Sequence, residues 1–189
     1  MRYGWAKVVE ENEIRNIFVT HIDPMGKSGP AIVTEFRRVN NIFKWCGSIE
    51  QIAKLIAKIL KVKSSDNSVN SKDLWMLKTE HWLLIMVNDF IGTGNAARTD
   101  IGRALATLDK ECPGWESCCY PFYAVVSGFE KAAVEIEKRF NNRVKVIIAH
   151  PLEEKDRAFS PEAGIFEDDK EREFAKELFS KIGSERYLI

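Results

Sequence analysis

The sequence lacks an excess of charge of either sign, since 28 lysine and arginine residues balance 28 aspartate and glutamate residues over 189 positions. General nucleic-acid binders and membrane-surface binders normally carry a basic excess, so the balance argues against both classes while leaving room for a local basic groove. The chain also lacks an apolar run long enough to span a membrane, and MRYGWAKVVEENE at its start has no apolar signal core. We therefore expect no membrane contact.

Cysteine is scarce as well. The four cysteines, Cys46, Cys112, Cys118 and Cys119, form no CxxC pair. The adjacent Cys118 and Cys119 can hardly bridge each other without strain, and the spacing fits no ordinary zinc pattern. We expect reduced thiols and a cytoplasmic protein.

Short apolar runs alternate with helical patterns along the chain. Strands are predicted from the run that ends at Asn88 and from residues 15–22, 120–127 and 143–150, and helices from residues 31–40, 48–60, 95–108, 127–140 and 168–182. Because the strands are uniformly apolar, we expect a mostly parallel sheet with helices on both faces. The prediction is a Rossmann-like three-layer α/β/α fold, one domain over residues 1–189, with residues 61–73 as a mobile loop.

Helix starts can be predicted from side chains that cap free backbone amides. Ser48 and Gln51 have the spacing of a capping box, and so do Ser127 and Glu130. Asn95 is placed to cap the helix that follows the turn IGTG.

The stretch VNDFIGTGNAA, residues 87–97, leads from an apolar strand through a glycine-bracketed turn into a helix. Ligands gather beyond the carboxyl ends of parallel strands, and the amides of residues 92–95 would converge on an anion at the helix N-terminus. Asp89, just before this turn, suits hydroxyl groups or a metal ion that bridges them. A carboxylate for hydroxyls beside amides for phosphate indicates a phosphorylated ribose.

Other interpretations of these loops stay open. The GTG turn is also explained as a tight connection from strand to helix without a ligand, and Lys27 as a solvated loop lysine. The GKS triplet, residues 26–28, is typical of a phosphate-binding P-loop, but His21 occupies the position of that motif's first glycine.

The residues VNDFIGTGNAA resemble the phosphoribosyl pyrophosphate loop of type I phosphoribosyltransferases. In that pattern an apolar strand and two acids precede a short turn rich in threonine and glycine. The resemblance implies a fold of that type, with Asp89 facing the ribose hydroxyls and, through them, Mg²⁺. It also implies a 5′-phosphate held by Gly92, Thr93, Gly94, Asn95, Ala96 and Ala97, and a pyrophosphate held by Gly26, Lys27, Ser28 and Gly29. Asp89 and Lys27 are then the candidate catalytic residues.

A narrower resemblance rests on GKSG, DFIGTGN and AFSPEAGIF together. These segments are similar to the phosphoribosyltransferase-like proteins of bacterial conflict systems, over roughly residues 15–189. The resemblance implies a role in anti-phage defence, with a protein partner such as a reverse transcriptase or another defence component. It also implies that the chain is a fragment or a short version of such a protein.

Two positions depart from the family pattern. Asn88 stands where the first acid is expected, and Ala96 stands where the last threonine of the phosphate loop is expected. One hypothesis is therefore a phosphoribosyltransferase domain that binds phosphoribosyl pyrophosphate or a related nucleotide and transfers the ribose phosphate to a base or another nucleophile. The alternative is a catalytically degenerate nucleotide-sensing or effector subunit that controls a partner protein.

Overall fold

The computed structural model describes residues 16–22, 28–40, 47–64 and 81–186. Within these residues, four strands form one sheet in the order of the chain: β1 (Asn16–Thr20), β2 (Trp82–Ile91), β3 (Cys119–Phe129) and β4 (Lys145–Leu152). β1 and β2 pair in parallel, as do β2 and β3. The parallel arrangement places the carboxyl ends of these three strands at the same edge of the sheet.

Five α-helices are described: α1 (Gly29–Val39), α2 (Ile49–Ser64), α3 (Asn95–Glu111), α4 (Glu130–Arg139) and α5 (Asp169–Arg186). Short 3₁₀ turns lie at Trp115–Ser117 and Glu154–Asp156. Because parallel neighbours need a crossover connection, α3 follows β2 and α4 follows β3. The predicted α/β fold with a parallel sheet is confirmed.

Alternation along the strands divides the core between the two faces of the sheet. On one face Leu84 and Met86 of β2 belong to the larger cluster, with side chains of α2, α3 and α4. On the other face Leu83 and Ile85 pack in a smaller cluster with Val33 of α1. Helices therefore cover both faces, as the continuous apolar run in β2 requires.

Several predicted boundaries are wrong. β2 does not stop at Asn88 but continues to Ile91, because residues up to Ile91 still pair with β3. α2 extends to Ser64, so the predicted loop at residues 61–73 begins in a helix, and its remainder lies outside the described residues. α5 likewise extends beyond the predicted residues 168–182 and ends at Arg186.

One of the two predicted capping boxes forms and the other does not. The capping box of α2 is confirmed, since Gln51 Oε1 accepts from Ser48 N–H at 3.0 Å and Ser48 Oγ accepts from Gln51 N–H at 3.4 Å. The second box is wrong, because Ser127 lies within β3 and its hydroxyl donates to the carbonyl of His150 at 3.1 Å. Phe129 occupies the N-cap position of α4 instead.

The residues up to His150 and those from Pro151 onward form two compact units. In the second unit Phe159 stacks on Phe166, with ring centroids 5.7 Å apart, and contacts Phe179. The expectation of a single domain over residues 1–189 stays a prediction.

Cys112, Cys118 and Cys119 are buried free thiols, and burial raises the pKa of Cys119. Cys46 lies outside the described residues. Within the described part of the chain, no helix is both long and apolar enough to cross a membrane.

Candidate functional site

Ser28 and Asp89, one from each of the two predicted ligand-binding loops, meet near the carboxyl end of β2. Ser28 Oγ donates a hydrogen bond of 2.7 Å to Asp89 Oδ2, although the two residues are 61 positions apart. Both side chains are exposed, so the contact lies at the surface of this edge. Ser28 is the N-cap residue of α1 but makes no side-chain cap, because its hydroxyl is directed to the carboxylate.

Of the residues predicted in the earlier loop, Ser28 and Gly29 are placed by the structure. Gly29 is the buried first residue of α1, and proline follows in the first turn of that helix. Gly26 and Lys27 lie outside the described residues, so their predicted roles toward pyrophosphate stay predictions.

The loop between β2 and α3, residues 92–94, turns through a left-handed glycine. Gly94 has φ +80°, and a Cβ atom at this position would lie 3.4 Å from Ala132 Cβ and 3.4 Å from Ile136 Cδ1 of α4. Both the positive φ and the close packing favour glycine. This glycine is therefore explained by the fold itself, whether or not a ligand binds.

The N-terminus of α3 leaves backbone donors for an anion. The first bond that closes the helix runs from Arg98 N–H to Gly94 O at 2.8 Å. The N–H groups of Asn95, Ala96 and Ala97 therefore lie before the first intrahelical donor, and no acceptor among the described residues bonds to them. Such amides, aligned with the positive end of the helix dipole, are suited to a phosphate group.

The predicted cap of α3 is wrong. Gly94 occupies the N-cap position, and Asn95 is the first residue of the helix. The Asn95 side chain instead accepts a hydrogen bond from the guanidinium of Arg98. Ala96 is exposed beside these amides, whereas the side chain of Ala97 is buried, so Ala97 can offer a ligand only its backbone.

Arg98 also contacts the turn at residues 92–94, although no motif in the sequence indicates it. Its guanidinium donates to the carbonyl of Thr93 at 3.4 Å and to Glu135 Oε2 of α4 at 3.1 Å, besides Asn95. These bonds hold a cation against the turn that precedes α3. The only signal in the sequence was the spacing of three residues between Asn95 and Arg98 on one face of a helix.

Asn88 does not contribute a charge to the site. Its side-chain amide donates to the hydroxyl of Tyr123, which is fully buried, and its carbonyl oxygen accepts from Asp89 N–H at 2.9 Å. These two bonds fix the orientation of the Asn88 side chain. Asp89 is therefore the single acid in the VNDFIG segment.

The side chains of this site fit Mg²⁺ only in combination with a substrate. Within the described residues there is no group of three or more histidine, cysteine, aspartate or glutamate side chains that could enclose a metal ion. Mg²⁺ commonly binds one or two carboxylates together with water and the oxygen atoms of a substrate. The exposed Asp89 carboxylate meets that requirement only when a substrate supplies the remaining oxygen atoms.

The comparisons with known proteins point to one family. The model of the family described as PRTase-CE matches residues 7–188. No curated protein and no solved structure matches the chain. Because the family match spans nearly the whole sequence and the structure has the expected parallel α/β fold, this chain belongs to the phosphoribosyltransferase-like PRTase-CE family.

Proposed function

We propose that the edge of the sheet formed by Ser28, Asp89 and residues 92–97 binds phosphoribosyl pyrophosphate or a related nucleotide together with Mg²⁺. The observation that carries this proposal is the 2.7 Å hydrogen bond between Ser28 and Asp89, which joins one residue from each of the two predicted loops. Asp89 and Gly92 are three residue steps apart at the end of β2, a span of about 10 Å in extended backbone. This separation suits a ligand with hydroxyl groups at one end and a phosphate at the other.

Each group has a role that follows from its chemistry. The amides of Asn95, Ala96 and Ala97 take the 5′-phosphate, and the Asp89 carboxylate accepts hydrogen bonds from the ribose hydroxyls. Lys27, which precedes Ser28 in the sequence, is the proposed contact of the pyrophosphate. Bound Mg²⁺ would offset negative charge on the pyrophosphate.

The proposed reaction is a displacement at the anomeric carbon of the ribose. The electron pair of a base nitrogen or another nucleophile forms the new bond to this carbon. The bond from the carbon to the pyrophosphate oxygen breaks, and pyrophosphate leaves with that electron pair. The protein contributes chiefly by holding the ribose hydroxyls at Asp89 and the 5′-phosphate at α3, so that the reacting carbon is positioned.

Isothermal titration with phosphoribosyl pyrophosphate and Mg²⁺ tests the binding step. Loss of a hydrogen bond to a charged group is worth about 1.5–3 kcal/mol, so Asp89→Ala and Lys27→Ala are each expected to weaken binding by about tenfold to a hundredfold. Glu177→Ala, which removes an exposed carboxylate from α5, is the matched control and should bind as the unmodified protein does. Equal heats for all four proteins would contradict the proposal.

A second candidate function is a nucleotide-sensing or effector subunit that binds the ligand without turnover and controls a partner protein. Asn88 favours it, because a neutral amide held by Tyr123 stands where the family pattern has an acid. Ala96 favours it as well, since it has no hydroxyl for the phosphate. Anti-phage defence, with a reverse transcriptase or another defence component as partner, is the proposed setting for either function.

Release of labelled pyrophosphate separates the first two candidates. The enzyme hypothesis expects release that depends on an added base and is lost in Asp89→Ala. The sensor hypothesis expects ligand binding in the titration without any release. Robust turnover by the purified chain would remove the sensor hypothesis.

The hydrogen bond between Ser28 and Asp89 also favours a third candidate, a P-loop-like hydrolase. In P-loop proteins a serine or threonine after the lysine and an aspartate from a nearby strand hold the Mg²⁺ of a nucleoside triphosphate. His21 in place of the first glycine argues against this candidate. It requires triphosphate hydrolysis that disappears in Lys27→Ala, and an inactive chain in this assay would exclude it.

A further inference from the structure

A wide groove runs between α3 and α4. It begins at Asn95, next to the turn at residues 92–94, and continues along α3 away from that turn. Its volume is about 1160 Å³. The lining on α3 extends from Asn95 to Ala106, eleven helical steps that correspond to about 17 Å. The groove is therefore longer than a single phosphate site at the start of α3.

The walls of the groove are basic. Four cations line it, Arg98, Arg103, Lys138 and Arg139, against the single carboxylate of Glu135. This imbalance is local, since the chain as a whole has no net charge. A positive groove on a neutral protein concentrates anions in that groove, while the rest of the surface does not attract them.

Two of the cations are already neutralised within the fold and two are not. Arg98 pairs with Glu135 at 3.1 Å, and Arg103 pairs with the buried carboxylate of Asp100 at 3.2 Å. Lys138 and Arg139, at the end of α4, form no ion pair with any residue in the described part of the chain. These two side chains are exposed and available to an external anion.

The floor of the groove is small and apolar. Gly102 and Ala106 contribute little bulk, and Phe140 lies between the helices, so that a Cβ atom at Gly102 would stand 3.7 Å from its ring. An aromatic ring below a row of cations offers a stacking surface for a flat base and charge partners for the phosphates that join successive bases. An acidic peptide would use the cations but has no base to place on Phe140.

We propose that this groove binds single-stranded nucleic acid, with phosphates at Lys138 and Arg139 and a base against Phe140. Unpaired bases are needed, because the bases of a duplex are stacked on one another and do not reach the floor. Arginine side chains suit phosphate oxygens because the planar guanidinium can donate two parallel hydrogen bonds. The site is separate from Asp89 and does not require the proposed transferase or sensor function.

Fluorescence anisotropy with a labelled oligothymidylate of about 15 nucleotides at low salt tests the proposal. Lys138→Ala/Arg139→Ala is expected to weaken binding by about tenfold or more and to reduce the salt dependence of the affinity, because fewer counterions are released. The matched control, Lys110→Ala/Lys131→Ala, also removes two exposed cations from α3 and α4, outside the groove, and should retain affinity.

Two further variants distinguish groove binding from a general effect of charge. Glu135→Gln removes the one negative charge of the lining and is expected to tighten binding, which a loss of structure would not do. Gly102→Leu fills the groove without changing charge and is expected to weaken binding. Asp89→Ala should bind the oligonucleotide as the unmodified chain does, so failure of the phosphoribosyl site and failure of this site are distinguishable.

The proposal is overturned if the unmodified chain does not bind the oligonucleotide at low salt. It is also overturned if both double variants lose affinity equally, because binding would then be non-specific. Tighter binding of polyglutamate or of a duplex of the same length would assign the groove to a different partner. Thermal unfolding of each variant must match that of the control for its binding data to count.

Discussion

The pairing of β2 with β3, next to the proposed phosphate site, can be tested by adding one methyl group at Gly128. Gly128 pairs with Ile91, the last residue before Gly92, and is buried. A Cβ atom at Gly128 would lie 2.7 Å from the carbonyl oxygen of Ile91 and 3.0 Å from its Cβ. Gly128→Ala therefore forces the two strands apart, because the obstructing atoms belong to the backbone and the stem of a buried side chain.

The size of the effect follows from two opposing terms. Overpacking at a tightly packed position destabilises by about 1–3 kcal/mol. Replacing glycine by alanine restricts the unfolded chain, which offsets about 0.4–1 kcal/mol of that loss. The net expectation is a loss of about 1–2 kcal/mol in the free energy of unfolding.

Denaturant unfolding measures this loss, and Gly102→Ala is the matched control. Its Cβ would meet only the Phe140 ring at 3.7 Å, in ordinary contact, and alanine favours the helix by about 1 kcal/mol. The two variants are thus expected to move stability in opposite directions. Hydrogen exchange should also become faster at residues 91–97 in Gly128→Ala. A Gly128→Ala protein as stable as the unmodified chain would refute the close approach of the two strands.

Three other substitutions have expected outcomes in the same unfolding assay. Arg143 lowers the pKa of Asp109 by a hydrogen bond, so this ion pair stabilises the fold above the unfolded pKa of the carboxyl, and the contribution is lost as pH falls below about 4. Because both side chains are partly exposed, Arg143→Ala should lower the free energy of unfolding by less than about 1 kcal/mol at pH 7. It should also make the decline in stability at acid pH less steep. An unchanged pH profile would contradict the pairing. Tyr123→Phe removes the partner of the Asn88 amide and is expected to destabilise by about 0.5–1.5 kcal/mol, whereas no change would argue against that hydrogen bond. Gly94→Ala imposes a left-handed φ on alanine and should cost about 1–2 kcal/mol, an expectation that fails if the variant unfolds at the same denaturant concentration.

Local patterns predicted the elements well where one face of a helix or strand is apolar. The capping box at Ser48 formed as expected because both of its partners lie within one turn of helix. The box expected at Ser127 failed because that serine remains paired in β3, where its neighbours in the sheet decide its conformation. Strand length was underestimated at β2 for the same reason, since polar residues near its end still pair with β3.

The sequence alone determined the alternation of strands and helices and the two loops at the edge of the sheet, because apolar periodicity and glycine content are properties of neighbouring residues. Tertiary structure decided which of those residues meet. The contact of Ser28 with Asp89 joins positions 61 apart, and that of Arg98 with Glu135 joins positions 37 apart. Such pairs form only when parallel strands align and their crossover helices pack, so no local pattern encodes them, and the basic groove between α3 and α4 arises in the same way.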